Sequence, residues 1–342
     1  MPFDQTRIAL LARDAQDFQD VQTRAVEEVM GGRMANVVGV GLGVKWTNGQ
    51  PTGEPALLTL VTHKASLDNL RPSDRVPPVI DGVKTDVLAV GRPMAGAASS
   101  VALTRRLRPV LGGFSVGHKD ITAGTIATAV YDILPGGTMN PPSFGMGNPP
   151  QFYLLSNNHI LANENAARIG DTILQPGAFD GGVDPADQIG TLTRFIPLDF
   201  FPDIPLEQHN NIVDAAIATV NCSDIDRELH WIGRLRGWRR KANVNVGTIV
   251  QKAGRSSGYT VGRITAIQTI IDVGYSEGRG ARLRDQIITT PMSLPGDSGS
   301  LIVTMDGLAV GLLCAGSPTV TVVNQIENVR SQLSIEVAEQ VL

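Results

Sequence analysis

From about residue 109 onward, short apolar runs recur at regular spacing: Ala123–Ile133, Phe152–Leu155, Thr172–Leu174, Ile212–Val220, Val244–Gln251, Gly262–Ile271, Gln286–Thr289, Ser300–Thr304 and Leu308–Cys314. Gly, Pro, Asp and Ser separate them, and no long helical period intervenes before residue 322. Short strands punctuated by turn residues predict an all-β sandwich or barrel. The stretch 134–151 (LPGGTMNPPSFGMGNPPQ) reads as a Pro- and Gly-rich loop tip between two of these strands. A closing helix is expected over about 322–342.

The first third of the chain has another texture. Ile8, Leu11, Ala15, Phe18, Ala25 and Val29 recur at steps of three and four, and Gly31-Gly32 stops the pattern. This predicts an amphipathic helix over 4–31, lying on its own domain or making an oligomer contact. Strand-like segments follow at Val37–Lys45, Ala56–His63 and Val83–Val90, so residues 1–105 are expected to form a small α/β domain. The glycines of GVGLGVK (39–45) fail the G-x-G-x-x-G pattern and read as a glycine-containing strand. Residues 91–108 turn small and polar, then basic, as in a linker.

Composition narrows the function classes. Apolar residues are 42% and charged residues 18%, enough to bury a core and to exclude general disorder. With 37 Gly and 21 Pro, the chain can afford many tight turns. The formal net charge of −4 points to neither a nucleic-acid nor a membrane partner. No window is long and apolar enough to span a bilayer, and the N-terminus has no signal-peptide pattern. Two cysteines, Cys222 and Cys314, cannot supply a disulfide framework, and a cytoplasmic location is the default.

The chemistry concentrates in PGDSGS, residues 295–300. These are turn residues, so a tight turn between strands is one reading. The other makes Ser298 a nucleophile, which needs a base within reach and a third group to orient that base. Of the five histidines, His159 follows the strand-like FYLLS, where a base would be held rigidly. Asp214 sits among Ile212, Val213, Ala215, Ala216 and Ile217, where a carboxylate is costly to bury unpaired. An imidazole N–H would suit it; capping a strand start is the alternative.

LLSNNHILA, VDAAIATV and PGDSGSLIV, in this order along an all-β stretch, resemble the trypsin/chymotrypsin-like serine peptidases. AGRSSGYTVGRI (253–264) resembles a segment of bacterial members and of plant relatives of the narrow-leaf type, which carry an extra N-terminal region. The resemblance implies a chymotrypsin-like double β-barrel in 106–342: a first barrel over about 109–225, a second over about 243–325, then the C-terminal helix. It implies a triad of His159, Asp214 and Ser298, an oxyanion hole from the N–H groups of Gly296 and Ser298, and no cofactor or metal. VGLLCAG (310–316), with Cys314, resembles the strand that lines the primary specificity pocket, and Gly316 would bond substrate backbone. Met292 stands where trypsins carry a basic-specific Asp, which implies a small or apolar preference. Cys314 replaces the serine that usually braces the triad aspartate; a buried free thiol is the plainer reading of it. Ala315 replaces an aromatic residue, Ser300 a glycine, and Ile160 a cysteine. RLRPVLGG (106–113) makes a poor activation junction because Pro109 follows Arg108, so Asp297 is expected to find a partner within the uncleaved chain.

The basic run GRLRGWRRK (233–241) reads as a solvated connection between barrels, with an acidic partner as the alternative. The function expected is a serine endopeptidase acting on protein or peptide, with a homo-oligomer built through the N-terminal region. The alternatives are a protease-fold binding or assembly module with little turnover, and ester-directed acyl transfer by the same residues.

Overall fold

The computed structural model describes residues 21–89 (apart from 32, 33, 35, 48, 49 and 66), 102–133 (apart from 122), 149 and 151–337. The chain divides into two compact units, Met1–Gly96 and Ala97–Leu342.

In the first unit, β1 (Val37–Thr47) and β2 (Gln50–Val61) form an antiparallel pair. After two 3₁₀ turns come β3 (Val79–Ile80) and β4 (Val83–Ala89), and the sheet order is β1-β2-β4-β3, with β2 and β4 parallel. The glycines of GVGLGVK lie within β1. Residues 21–30 are helical and end at Gly31, and Ala25 and Val29 pack with Leu57 and Ile80. The other apolar positions of the expected helix, Ile8 to Phe18, lie outside the described residues, as does most of the 91–108 segment.

The second unit contains β5 (Val110–Gly112), β6 (Ser115–His118), β7 (Gly124–Thr125), β8 (Ala129–Asp132), β9 (Phe152–Ser156), β10 (Thr172–Leu174), β11 (Gln188–Phe195) and β12 (Ala216–Val220). The pairings run β6-β10-β11-β12-β9-β8, and β7, leading into β8, pairs back onto β6. This closes a six-stranded antiparallel barrel. The connection comprises β13 (Ile225–Leu229), β14 (Gly233–Arg234) and β15 (Gly237–Trp238). Then β16 (Ile249–Gly254), β17 (Gly258–Gly274), β18 (Gly280–Thr289), β19 (Leu301–Thr304), β20 (Leu308–Gly316) and β21 (Thr321–Gln325) follow. They pair in the ring β16-β17-β18-β21-β20-β19-β16, a second closed barrel. Closure leaves few unpaired strand edges, the recurrent hazard of β architectures.

The period of two explains why these strands read as continuous apolar runs. Leu154, Ala216 and Ala218 point into the core of the first barrel, whereas Tyr153, Leu155, Ala215 and Ile217 point the other way. There they meet Leu301, Val303, Ala309 and Leu312, whose neighbours Ile302, Val310 and Leu313 fill the second barrel. Strands buried on both faces carry no polar side and lose the alternation of a half-exposed sheet. The seam between barrels is thus a third apolar core.

The C-terminus differs from the expected helix over 322–342. Thr321–Gln325 is the last barrel strand, and the helix spans only Ile326–Leu333, with the Gln325 side chain accepting from the N–H groups of Glu327 and Asn328. The tail then forms β22 (Ile335–Glu336) against β8, tying the end of the chain back to the first barrel. In the 233–241 run, Trp238 is fully buried under the Arg330 guanidinium, 4.8 Å from its ring centre, and Arg234, Arg239 and Lys241 face Glu228, Asp306 and Asp285.

Candidate active site

His159 and Asp214 come from the first barrel. β9 ends at Ser156, and the one-turn helix Asn158–Leu161 carries His159 directly after it. Asp214 lies just ahead of β12, with Val213 and Ala215 anchored in the seam. Its carboxylate is fully buried. Oδ2 accepts from His159 Nδ1 at 2.6 Å and from the Tyr275 hydroxyl at 3.0 Å, and Oδ1 accepts from the His159 N–H at 3.2 Å. Its backbone is held as well: the N–H donates to Asn324 Oδ1 at 3.0 Å, and the carbonyl accepts from Asn157 Nδ2 at 2.7 Å. Burial works against a charged His159, but the Asp214 carboxylate, helped by Glu164, outweighs it, so the imidazole pKa is raised above its ordinary value.

Ser298 comes from the second barrel, on the loop between β18 and β19. The loop is built around glycines at positive φ, Gly296 at +97° and Gly299 at +94°. A Cβ on Gly299 would lie 2.1 Å from the Thr125 carbonyl oxygen and 2.2 Å from Ser156 Oγ, so no larger residue fits there. Among the described residues, neither the Gly296 nor the Ser298 N–H donates to a protein acceptor. A carboxylate fixes this shape from within. Asp297 is fully buried and accepts from the Leu294 N–H at 2.8 Å, the Ser256 N–H at 2.9 Å and the Ser257 N–H at 3.1 Å. It also meets Lys252 Nζ at 3.0 Å, with both side chains sealed from solvent. Burial alone would raise the Asp297 pKa, but the Lys252 charge and these donors lower it. Lys252 is the internal partner expected for Asp297.

Thr125 joins the loop to the first barrel. Its N–H donates to the Ser298 carbonyl at 2.7 Å, its hydroxyl donates to the Gly296 carbonyl at 2.8 Å, and its carbonyl accepts from Ser156 Oγ at 2.8 Å.

His159 and Ser298 line one cleft of about 630 Å³, together with Glu164, Tyr275, Leu294, Cys314 and Gly316. Ser298 Oγ makes no hydrogen bond to His159 among the described residues; apo sites are often looser than their loaded forms. Gly316, at the end of β20, stands in the cleft wall. The Cys314 thiol donates to the Val322 carbonyl at 3.5 Å and accepts from Asn324 Nδ2 at 3.4 Å, so its proton is not directed at Asp214. Burial, reinforced by the Asp214 charge, pushes this thiol well above its ordinary pKa.

Met292 lies in the interior of the second barrel. It is 4% exposed and packs with Val250, Ile264 and Leu313 inside the second barrel, its sulfur turned towards Gly262. It does not line the cleft, where Ser293, Leu294 and Pro295 stand instead. Tyr275, Thr125 and Asn324 were invisible to motif reading because their partners are distant in sequence. Lys252 did leave a signal: one cation inside a strand whose residues Val250–Gly254 are all buried.

No protein-family model matches the chain, and no curated protein does. Solved structures are similar. Thermobifida fusca protease A is 15% identical, with 66% of this chain and 97% of that one covered at a TM-score of 0.44. Cellulomonas bogoriensis chymotrypsin is 20% identical, with 68% and 99% covered at 0.43. Nocardiopsis protease is 16% identical, with 66% and 97% covered at 0.44. At such identities the chemistry rests on the residues themselves. The two closed antiparallel barrels make the fold a chymotrypsin-like double β-barrel.

Proposed function

We propose that the chain is a serine endopeptidase working through an acyl-enzyme. The observation that carries this reading is the buried His159–Asp214 hydrogen bond opening onto the same cleft as Ser298. With Nδ1–H committed to Asp214, the other ring nitrogen of His159 is left as the acceptor for the Ser298 proton. Ser298 Oγ then attacks the scissile carbonyl, and the N–H groups of Gly296 and Ser298 receive the developing oxyanion. His159 returns the proton to the leaving amine, and water repeats the sequence on the acyl-enzyme. Asp214 keeps the tautomer and stabilises the transient imidazolium.

The preference proposed is for a small or apolar residue before the scissile bond. Its support is the wall Ser293–Pro295 and Leu313–Pro318, which carries no charged side chain. Efficient cleavage after Arg or Lys in a positional peptide library would contradict it.

The direct experiment is labelling with a fluorescent fluorophosphonate, using wild type, Ser298→Ala and His159→Ala. Labelling confined to wild type is expected. The second reading is a protease-fold binding module; a wild type that never labels, with or without candidate substrates, would put that reading first.

A further inference from the structure

The Asp214 carboxylate is sealed from solvent, yet among the described residues only one side-chain group besides His159 donates to it: the hydroxyl of Tyr275. Tyr275 does not belong to the elements that carry the triad. It stands at the tip of the long β17–β18 hairpin of the second barrel, between Gly274 and Gly280. The tip is fastened to the first barrel on both sides. Its ring meets His159 edge-on at 5.9 Å and Phe200 at 5.2 Å. Next to it, the Ser276 N–H and hydroxyl donate to Glu164 at 3.1 and 2.8 Å, and Arg279 pairs with the same carboxylate. The Arg279 guanidinium lies 4.7 Å from the centre of the Phe200 ring, and Phe201 and Gly280 exchange backbone hydrogen bonds.

A carboxylate oxygen with two donors cannot turn without losing one of them, and a buried one has no water to replace the loss. We infer that Tyr275 is the positioning residue of the triad: its hydroxyl fixes the Asp214 carboxylate in the rotamer that orients His159, and the hairpin clasp holds it there. The inference rests on the triad reading above. The partner is a carboxylate, which only accepts, so the phenol is the donor of this bond; burial and then the Asp214 charge push its pKa well above the ordinary value and keep the proton in place. Cys314 does not share the task, since its proton goes to the Val322 carbonyl.

Tyr275→Phe removes the hydroxyl and keeps the ring. A carboxylate stripped of one donor holds the imidazolium more strongly, so the His159 pKa rises. The groups facing His159 are Asp214, Glu164, Tyr275 and Cys314, with Arg279 behind Glu164, and all but Tyr275 stay unchanged in the variant.

The test has two arms. In the first, the His159 ring is titrated by NMR in Ser298→Ala and in Ser298→Ala/Tyr275→Phe, a measurement that needs no turnover. A rise of roughly half a unit or more is expected. In the second, fluorophosphonate labelling is followed against pH; Tyr275→Phe should label roughly tenfold more slowly on the plateau, with its acid limb at higher pH. Tyr275→Leu, which also loses the ring contacts, should be slower again. An unchanged His159 titration overturns the inference whether or not the protein is active. A wild type that fails to label, with the titration shifted as expected, would instead overturn the peptidase reading and leave the positioning role standing.

Discussion

Replacing Lys252 by methionine tests how the nucleophile loop is held. The methionine fills the volume of the lysine stem, so little cavity forms, and what is lost is the charge with the hydrogen bonds it donates. In the native site Nζ lies 3.0 Å from Asp297 Oδ2, with both side chains at 0% exposure, and it also donates to the Gly258 carbonyl at 3.2 Å. Removing one partner of such a pair costs about 3–5 kcal/mol, because the other charge stays buried without compensation. Asp297 keeps the N–H groups of Leu294, Ser256 and Ser257, which places the cost near the lower end, about 3 kcal/mol. In a unit of this size each kcal/mol lowers the melting temperature by roughly 2–4 °C, so a fall of about 6–12 °C follows. Thermal unfolding by circular dichroism measures it, and fluorophosphonate labelling should slow in parallel as the Gly296 and Ser298 N–H groups lose their frame. Lys252→Met/Asp297→Asn removes the stranded charge and should recover at least half of the lost stability. A single variant melting within about 1 °C of wild type, or a double variant no better than the single one, would refute the reasoning.

Two further outcomes follow from the geometry. Gly299→Ala would force a Cβ against the Thr125 carbonyl and Ser156 Oγ at a φ of +94°, so a loss of about 2 kcal/mol or more and collapse of labelling are expected in denaturant melts. The labelling rate should titrate on its acid side above the ordinary histidine value of about 6.5, because the Asp214 carboxylate outweighs burial and keeps His159 protonated to higher pH while the reaction needs it neutral. An acid limb below that value would contradict the assignment.

The strand series was legible because it rests on local pattern, apolar runs between turn residues, and three short motifs pointed to His159, Asp214 and Ser298, of which the first two are hydrogen-bonded and the first and last share one cleft. What escaped was less local. β6 (SVGH) is too short to show a period, and β11 (QIGTLTRF) is partly exposed along most of its length, so its alternation is weak. The strand Thr321–Gln325 was read as the start of a helix, because a short apolar run beside a true helix fits either period. The offset of Met292 from Ser298 does not reveal that its sulfur packs against Gly262, whose missing side chain leaves the room. Tyr275 lies in a polar, glycine-rich hairpin tip whose significance depends on a carboxylate 61 residues away.

Thr125 carries one more consequence. It belongs to the first barrel, and 171 residues separate it from Gly296, whose carbonyl it holds. The loop that bears Ser298 therefore has no complete set of partners until two distant stretches of chain have closed on each other. Contacts of such sequence separation form late in a folding reaction, after loop closure has been overcome. Without the first barrel the second would lack the Thr125 bonds to the Gly296 and Ser298 carbonyls, so the shape of this loop depends on the docking of the two halves.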